Sequence, residues 1–216
     1  MKTFELNATP RVDLGKKAVR ALRKQNLIPA VLNGGEVFAM PFKGTLSEGE
    51  KLVEIDGGKK GTIVTDFTVS KDAVRKLVYT PEIYVVNLTI GTKTVKAVLK
   101  DIQFHPVTDA ILHMDFLAVN ETKPVVMEVP VVLEGHAEGV KAGGKLNLSM
   151  RKLKVKAVYN HIPEKLVVNI DKLGLGKTLQ VGELSFEGLE LVNAKNAVVC
   201  AVNLTRAARG AQAKGE

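Results

Sequence analysis

The sequence predicts a mainly β protein with few short helices, arranged in two domains. Runs rich in Val, Ile and Thr recur at short intervals along the chain, and many alternate between apolar and polar residues. Only two segments show the spacing of apolar positions that is typical of a helix. A polar, proline-ended break separates two long β-rich stretches near the middle of the chain.

Strand character is clearest in six stretches of the chain. The dipeptide Gly91-Thr92 lies between the first two stretches and predicts a tight hairpin there. Because the six stretches fall in both halves of the sequence, both domains are expected to be β-rich. The stretches are Ile83–Ile90, Thr94–Asp101, Val125–Leu133, Leu153–Tyr159, Leu166–Ile170 and Ala197–Leu204.

Two short helices are predicted, at Lys16–Gln25 and Ser70–Tyr79. In the first, Val19 and Leu22 form an apolar side opposite the basic residues. The second begins with Ser70, a residue type that favours the first position of a helix. Its apolar side consists of Val74, Leu77 and Val78.

The length and the break together predict the domain boundary. The chain has 216 residues, more than the roughly 100–150 that are typical of one domain. The polar segment at residues 118–124 divides it into domains 1–118 and 119–216, with 17 basic and 13 acidic residues in the first and 14 and 10 in the second. Residues from about 205 lack an apolar pattern and are predicted to form a flexible tail.

Composition narrows the class of protein. The formal net charge of +8 permits nucleic-acid binding without establishing it. No apolar run approaches the roughly 20 residues needed to span a membrane, and Met1–Glu5 is not followed by the apolar core of a signal peptide. The single cysteine, Cys200, excludes an intramolecular disulfide and a cysteine-cluster zinc site. A cytoplasmic protein is expected, and no set of residues forms a recognisable catalytic motif.

Positive charge is concentrated in the fourteen residues that begin at Arg11, which include six basic residues and one acid. Lys16, Arg20 and Arg23 are spaced four and three residues apart, so a helix aligns them along one face. Such a row can contact the phosphates of A-form RNA, and arginine forks can also bond base edges. The alternative is a solvated basic face with no specific ligand.

The stretch Asp101–Phe116 predicts two strands joined by a polar turn at Pro106–Asp109. Because side chains alternate along a strand, His113 and Asp115 are expected on one face of the second strand. The opposite face is expected to carry Met114 and Phe116.

The polar residues of this stretch are candidates for reading RNA. Gln103, His113 and Asp115 could contact base edges and 2′-hydroxyl groups, with Asp115 accepting hydrogen bonds from base amino groups. Two alternatives remain open. His105, His113 and Asp115 could bind a metal ion, although their spacing matches no known motif. His113 and Asp115 could also form a polar pair that only stabilises the hairpin.

Three other features receive structural interpretations. The run Gly174-Leu175-Gly176-Lys177-Thr178 lacks a glycine at Asp171 that a phosphate-binding loop needs, so it predicts a turn followed by a strand. Cys200 lies in an apolar run and is expected to be a buried thiol. The segment Arg151–Lys156 alternates basic and apolar residues, as a half-buried strand does, and its basic face could contact rRNA or a neighbouring protein.

Taken together, the two functional stretches resemble the signatures of the bacterial large-subunit ribosomal protein twenty-five (L25) family. The second half is similar to the C-terminal domain of its longer members, the CTC type or general stress protein form. The N-terminal signatures are Arg11…Gly15-Lys16…Arg20-Ala21-Leu22-Arg23…Ile28-Pro29-Ala30-Val31…Gly34-Gly35 and Gln103-Phe104-His105-Pro106…His113-Met114-Asp115-Phe116. The matching residues of the second half are Glu138-Gly139-Val140…Gly143-Gly144-Lys145-Leu146 and Leu153-Lys154-Val155.

The resemblance implies a fold, a partner and a set of contacts. It implies that the N-terminal domain is a small β-barrel that binds loop E of 5S rRNA, and that the protein is a structural part of the large ribosomal subunit. The expected partners are 5S rRNA, the other rRNA of that subunit and neighbouring ribosomal proteins, with no cofactor, metal ion, small-molecule substrate or membrane. The RNA-binding residues it implies are Arg11, Lys16, Arg20, Arg23, Gln103, His113 and Asp115.

The sequence departs from the family pattern at two places. Asn33 stands where family members usually carry a tyrosine at the RNA surface. The segment between Gly35 and Phe67 is also longer than in the family, which predicts an insertion near residues 36–66. These departures support an alternative function, a stress-related paralogue with weakened or altered RNA binding.

Overall fold

The computed structural model describes residues 1–34, 37–39, 45–55 and 60–205. The chain divides into two compact units, Met1–Lys123 and Pro124–Glu216. The division therefore lies inside the polar segment 118–124. The molecule is mostly β, with an N-terminal barrel followed by a β-rich second unit, so the predicted fold class is confirmed. The predicted flexible tail lies outside the described residues, apart from its first position, Thr205.

The first unit contains eight strands and two helices in its described part. In chain order they are β1 (Lys2–Pro10), α1 (Lys16–Lys24), β2 (Leu27–Asn33), β3 (Val37–Ala39), β4 (Glu50–Ile55), β5 (Lys60–Ser70), α2 (Lys71–Val78), β6 (Tyr84–Ile90), β7 (Lys93–Phe104) and β8 (Ile111–Ala118).

Six of these strands close into a barrel. Neighbouring strands follow the order β1-β6-β7-β8-β2-β5, and β5 then pairs with β1 to complete the ring. Two contacts are parallel: β1 pairs with β6 over seven residues, and β2 pairs with β8 from Ala30–Met114 to Asn33–Leu117. A closed ring has no free edge strand, so β8 is fixed on both sides, by β7 and by β2.

The inside of the barrel is filled by side chains from alternate strand positions. Phe67 of β5 and Phe116 of β8 are fully buried, with their ring centroids 5.7 Å apart. Met114 is also fully buried, as the alternation along β8 predicts. Since the side chains of Met114 and Phe116 point into the barrel, those of His113, Asp115 and Leu117 point outwards.

Both predicted helices are present, each one residue shorter at one or both ends than expected. Helix α1 follows Gly15, whose φ of 103° places it in the region that favours glycine. No residue of α1 is fully buried, whereas α2 buries Val74 and Leu77 against the barrel. Ser70 does occupy the position before α2, but its side chain makes no capping hydrogen bond.

In the described part of the segment 36–66, which was predicted as an insertion, β3 and β4 both pair with β5. Strand β4 pairs with β5 from Glu50–Thr65 to Ile55–Lys60. The last residues of the segment belong to the barrel itself, because Thr65 and Asp66 pair with Leu32 and Val31 of β2. Residues 36, 40–44 and 56–59 of this segment lie outside the described residues.

The second unit contains seven strands and one short helix in its described part. They are β9 (Val125–Glu134), α3 (Glu138–Lys141), β10 (Lys145–Leu148), β11 (Lys152–Ala157), β12 (Leu166–Asn169), β13 (Thr178–Gln180), β14 (Glu190–Leu191) and β15 (Val198–Asn203). Single 3-10 turns occur at Tyr159–His161 and Val181–Glu183. The strand predicted at Leu153–Tyr159 therefore ends at Ala157.

Two sheets form the second unit, with strand orders β12-β9-β11-β14 and β10-β15-β13. Two glycines of the family signature allow close packing. A Cβ atom on Gly139 would lie 2.6 Å from backbone atoms of Gly174 and Leu175, and one on Gly144 would lie 2.6 Å from the carbonyl oxygen of Gly139. The run after Gly174 forms a turn and then β13, as expected.

Cys200 lies in β15 and is fully buried, and this burial raises the pKa of its thiol. The thiol is thus held in its protonated, less reactive form, in agreement with the structural interpretation of this residue.

Candidate nucleic-acid interface

Helix α1 carries a row of cations along its outer side. A shallow open groove follows this side of the helix and is lined by Gly15, Lys16, Val19, Arg20, Arg23 and Lys24. Ala18, Val19 and Leu22 are half-buried, and Val19 lies in the groove among the basic residues. Lys16, Arg20, Arg23 and Lys24 themselves are exposed. Within the described ranges, Lys16, Arg20 and Lys24 form no ion pair, so their charges are available to a ligand.

Arg23 connects this helix to the strand that carries the other candidate residues. Its Nη2 atom donates a hydrogen bond of 2.8 Å to the carbonyl oxygen of Leu112 in β8. Leu112 directly precedes His113, so the C-terminal end of the cation row lies beside the polar residues of β8. The sequence places Arg23 and His113 ninety residues apart, and only the fold brings them together.

Strands β7 and β8 hold the predicted polar residues in neighbouring positions. Gln103 pairs with His113, and Asp101 pairs with Asp115. The pairing of β7 is irregular on both sides of these residues, between Leu99 and Asp101 and between Gln103 and Phe104. Such bulges bend a strand and redirect its side chains, so the polar residues occupy a locally kinked part of the barrel wall.

His113 and Asp115 are in direct contact on the outer face of β8. Nδ1 of His113 lies 3.0 Å from Oδ1 of Asp115, and their side chains are 25% and 29% exposed. This contact agrees with the expectation that the two residues share a face. Asn33 shares the same outer face, since it pairs with Leu117 of β8 two positions beyond Asp115.

Arg11 is the predicted contact that lies outside α1, β7 and β8. It follows the end of β1, where its backbone N–H donates to the carbonyl oxygen of Asp66 at 2.9 Å. Its Nε atom is buried and has no hydrogen-bond partner among the described residues. No hydrogen bond or ion pair in the described part of the chain joins Arg11 to α1 or to His113. The resemblance groups Arg11 with the α1 cations, and its place among the RNA-binding residues stays a prediction.

His105 stabilises the turn between β7 and β8. Its Nδ1 accepts hydrogen bonds of 3.2 Å from the backbone N–H groups of Val107 and Thr108. Among the described residues no three His, Cys, Asp or Glu side chains are grouped so that they could hold a metal ion. The structure thus does not bring His105, His113 and Asp115 together as a ligand set.

Lys24 was not among the predicted contacts, although it lines the same groove as Lys16 and Arg20. Its spacing of four residues from Arg20 is a signal that could have identified it. Asp101 was also missed, because its position opposite Asp115 depends on the pairing of two strands and not on spacing along the chain.

The basic face of β11 is largely paired within its own sheet. Leu153, Val155 and Ala157 are buried while the lysines between them are exposed, as the alternating sequence predicts. Lys156 lies 3.0 Å from Glu190, and Lys154 lies 4.0 Å from Glu128. Neutralisation by these acids leaves the face less attractive to phosphates than its sequence suggests.

Comparisons with known proteins identify the family. The model of the ribosomal L25p family matches residues 6–116, which include both N-terminal signatures. The chain belongs to the ribosomal L25p family. The model of the ribosomal protein TL5 C-terminal domain matches residues 124–206, so the L25p chain described here is of the long, two-domain kind.

Relatives match this L25p chain over almost its whole length. The large ribosomal subunit protein bL25 of Parabacteroides distasonis is 62% identical over 220 residues, covering 100% of both chains. The protein of the same name from Porphyromonas gingivalis is 60% identical over 215 residues, covering 99% of each chain. The one from Bacteroides fragilis is 55% identical over 218 residues, covering 99% of this chain and 98% of its own.

Family membership confirms two of the expectations from the sequence. The resemblance to the L25 family is correct in both halves, and the relatives are ribosomal proteins and not enzymes. The alternative of a stress-related paralogue receives no support from these relatives. Within the described ranges, no helix is long and apolar enough to cross a membrane.

Proposed function

We propose that this L25p chain is a structural component of the large ribosomal subunit that binds 5S rRNA through its N-terminal barrel. The observation that carries the proposal is the hydrogen bond from Arg23 to the carbonyl oxygen of Leu112. It joins the cation row of α1 to the strand with His113 and Asp115. One surface thus offers charges for phosphates beside polar groups for base edges.

The two parts of this surface have different roles. Lys16, Arg20 and Arg23, together with Lys24, neutralise phosphates along the RNA backbone, which supplies affinity that depends on salt. Gln103, His113 and Asp115 lie on the kinked wall beside them and recognise base edges or 2′-hydroxyl groups. Arg11 contributes its charge from the end of β1. No chemical step is involved, since recognition and docking are the whole function.

The remaining partners follow from the same proposal. The bL25 relatives are named as proteins of the large ribosomal subunit, and we expect this chain to sit on that subunit in the cytoplasm. The second unit would contact other rRNA or neighbouring ribosomal proteins. Arg151 and Lys152, at the start of β11, are exposed and form no ion pair within the part of the chain that the structure describes, so they are the best candidates there.

Replacing Arg20 by alanine tests the role of the cation row. Arg20→Ala should weaken 5S rRNA binding and reduce the slope of log affinity against log salt by about one. Arg75→Ala is the matched control, since Arg75 is an exposed arginine of α2 that forms no ion pair in the described ranges. Arg75→Ala removes one positive charge, as Arg20→Ala does.

Both variants are titrated with 5S rRNA and with a size-matched control RNA at several salt concentrations. We expect Arg20→Ala to lose affinity for 5S rRNA and Arg75→Ala to bind it nearly as well as the wild type. Equal effects of the two variants would show that only the overall charge matters, and the site would then be wrongly placed.

A further inference from the structure

Two loops of the second unit each place a lysine directly after a glycine, and these loops lie against each other. The first is Gly143-Gly144-Lys145, which follows α3, and the second is Gly174-Leu175-Gly176-Lys177, which leads into β13. A Cβ atom on Gly144 would lie 2.6 Å from Cδ1 of Leu175. The two loops are therefore in contact, although a stretch that contains β11 and β12 separates them in the sequence.

The end of β15 lies between the two loops. On one side of this strand, Lys145 pairs with Asn203. On the other side, the backbone N–H of Gly176 donates to the carbonyl oxygen of Val202 at 2.9 Å, and the N–H of Val202 donates to the carbonyl oxygen of Lys177 at 3.0 Å. Because both loops are bonded to the end of one strand, Lys145 and Lys177 are held at the same end of the sheet β10-β15-β13.

Positive charge is concentrated around these loops. Residues 138–145 and 171–178 contain four lysines and two acids, and all four lysines are exposed. None of the lysines forms an ion pair with a residue of the described ranges. Of the two acids, Glu138 begins α3, and Asp171 accepts a hydrogen bond of 2.8 Å at its Oδ1 from the backbone N–H of His136. The two loops and the four lysines form the glycine–lysine surface, whose cations are Lys141, Lys145, Lys172 and Lys177.

We propose that the glycine–lysine surface binds the phosphate backbone of the larger rRNA of the subunit, independently of the barrel. The inference rests on the ribosomal function proposed above. Lysine ammonium groups without an ion pair attract phosphates and bind them as point charges. Glycines have no side chain, so they allow the RNA backbone to approach the loops closely. Because the barrel is proposed to hold 5S rRNA, a surface in a separate compact unit is expected to take the other rRNA.

The composition of this surface favours RNA over a protein partner. The core of a protein interface is usually apolar and depleted of lysine. The glycine–lysine surface instead combines four lysines with bare backbone, and the exposed apolar side chains beside it are the aliphatic Val140 and Leu204. It also differs from the outer face of β11, where Lys154 and Lys156 already lie beside acids.

Replacing two of the lysines in the full-length protein tests the inference. The protein is first saturated with 5S rRNA and then titrated with protein-free 23S rRNA at several salt concentrations. Lys145→Ala/Lys177→Ala should weaken binding to 23S rRNA and reduce the slope of log affinity against log salt by about two, one for each lost phosphate contact. Its affinity for 5S rRNA should equal that of the wild type. Lys145→Arg/Lys177→Arg keeps both charges and should bind 23S rRNA like the wild type.

Lys165→Ala/Lys195→Ala is the matched control. It removes two positive charges from exposed lysines that precede β12 and β15, whereas the glycine–lysine surface lies at the ends of these strands. The control should bind 23S rRNA nearly as well as the wild type. Because all four replaced lysines are exposed, both variants should unfold at the wild-type temperature.

Three results would overturn the inference. Equal losses in the two alanine variants would mean that only net charge matters, and an undiminished affinity of Lys145→Ala/Lys177→Ala would mean that the surface does not bind this RNA. A loss that appears with intact large subunits lacking the protein, but not with protein-free 23S rRNA, would assign the surface to a neighbouring protein.

Failure of the proposed function is distinguishable from these results. In that case the wild type shows no preference for 5S rRNA over a size-matched control RNA. The comparison of the two alanine variants on 23S rRNA, made with the free protein, still decides whether the glycine–lysine surface binds RNA.

Discussion

Single residues of the barrel divide into those whose charge is paired and those whose charge is free. Lys51 forms an ion pair with the buried carboxylate of Asp66, and Lys93 forms one with Glu50. Lys16 and Arg20 of α1 have no such partner in the described ranges. Spacing along the sequence identified the free residues, because a solvated helical row is a local pattern. The two ion pairs join residues of different strands, β4 with β5 and β7 with β4, and leave no comparable local pattern.

Glu50 is the clearest example of a paired residue. Its side chain is only 9% exposed. Burial alone raises the pKa of this carboxyl, but hydrogen bonds from Lys93 and from the backbone N–H of Ser47 outweigh burial, and the net pKa is lowered. Lys93 Nζ lies 2.7 Å from Oε1, and the Ser47 N–H lies 2.7 Å from Oε2. The ionised form is therefore the one that the fold stabilises.

Glu50→Gln should make the stability of the protein less sensitive to acid. A lowered pKa in the folded state gives stability that is present above the unfolded-state pKa, about 4.3, and is lost as the pH falls through the folded-state value. The variant should unfold more easily than the wild type at pH 7, and the difference should shrink below about pH 4. Urea unfolding of both proteins across this pH range measures the difference in stability.

Glu54→Gln is the matched control, because Glu54 is exposed on the same strand. The free energy of unfolding of Glu54→Gln should equal that of the wild type at every pH. If the free energies of unfolding of Glu50→Gln and the wild type differed by the same amount at neutral and at acidic pH, the ionised Glu50 carboxylate and its Lys93 contact would not be the source of the difference.

Among the secondary-structure elements, the two longer helices were the most predictable, whereas the short helix α3 was not predicted. The starts and ends of α1 and α2 lie within one residue of the sequence-based ranges, because amphipathic spacing is a local property. Strand β5 shows the opposite case. It pairs with β1, β2, β3 and β4, and no local feature of Lys60–Ser70 indicates this central position. The bulges of β7, which shape the candidate site, also depend on partners distant in sequence.

Helix α3 offers a test of packing in the second unit. Gly139→Ala should destabilise the protein by about 2 kcal/mol, because its Cβ would lie 2.6 Å from backbone atoms of Gly174 and Leu175, which cannot easily move. Gly174→Ala is the control, since the nearest atom to its Cβ is the flexible Lys177 side chain at 3.6 Å. Thermal or urea unfolding compares the two, and equal stabilities would contradict the close approach.

At the level of the whole molecule, both units have a similar excess of positive charge, but they use it differently. In the first unit, the α1 cations line an open groove. In the second, two of the β11 lysines are paired with Glu128 and Glu190. The sequence predicted a basic protein from its composition and a boundary near residues 118–124 from its polar break. It could not show which charges are neutralised, since that depends on cross-strand neighbours. This difference supports the first unit as the main RNA-binding part.

The most direct test is the affinity of the purified full-length protein for 5S rRNA, measured across a salt series beside a size-matched control RNA. The proposal predicts tight binding that prefers 5S rRNA at every salt concentration, with affinity falling as salt rises. That result would also show that Asn33 is compatible with recognition. Equal, weak binding to both RNAs would contradict the central claim that the barrel of this L25p protein recognises 5S rRNA.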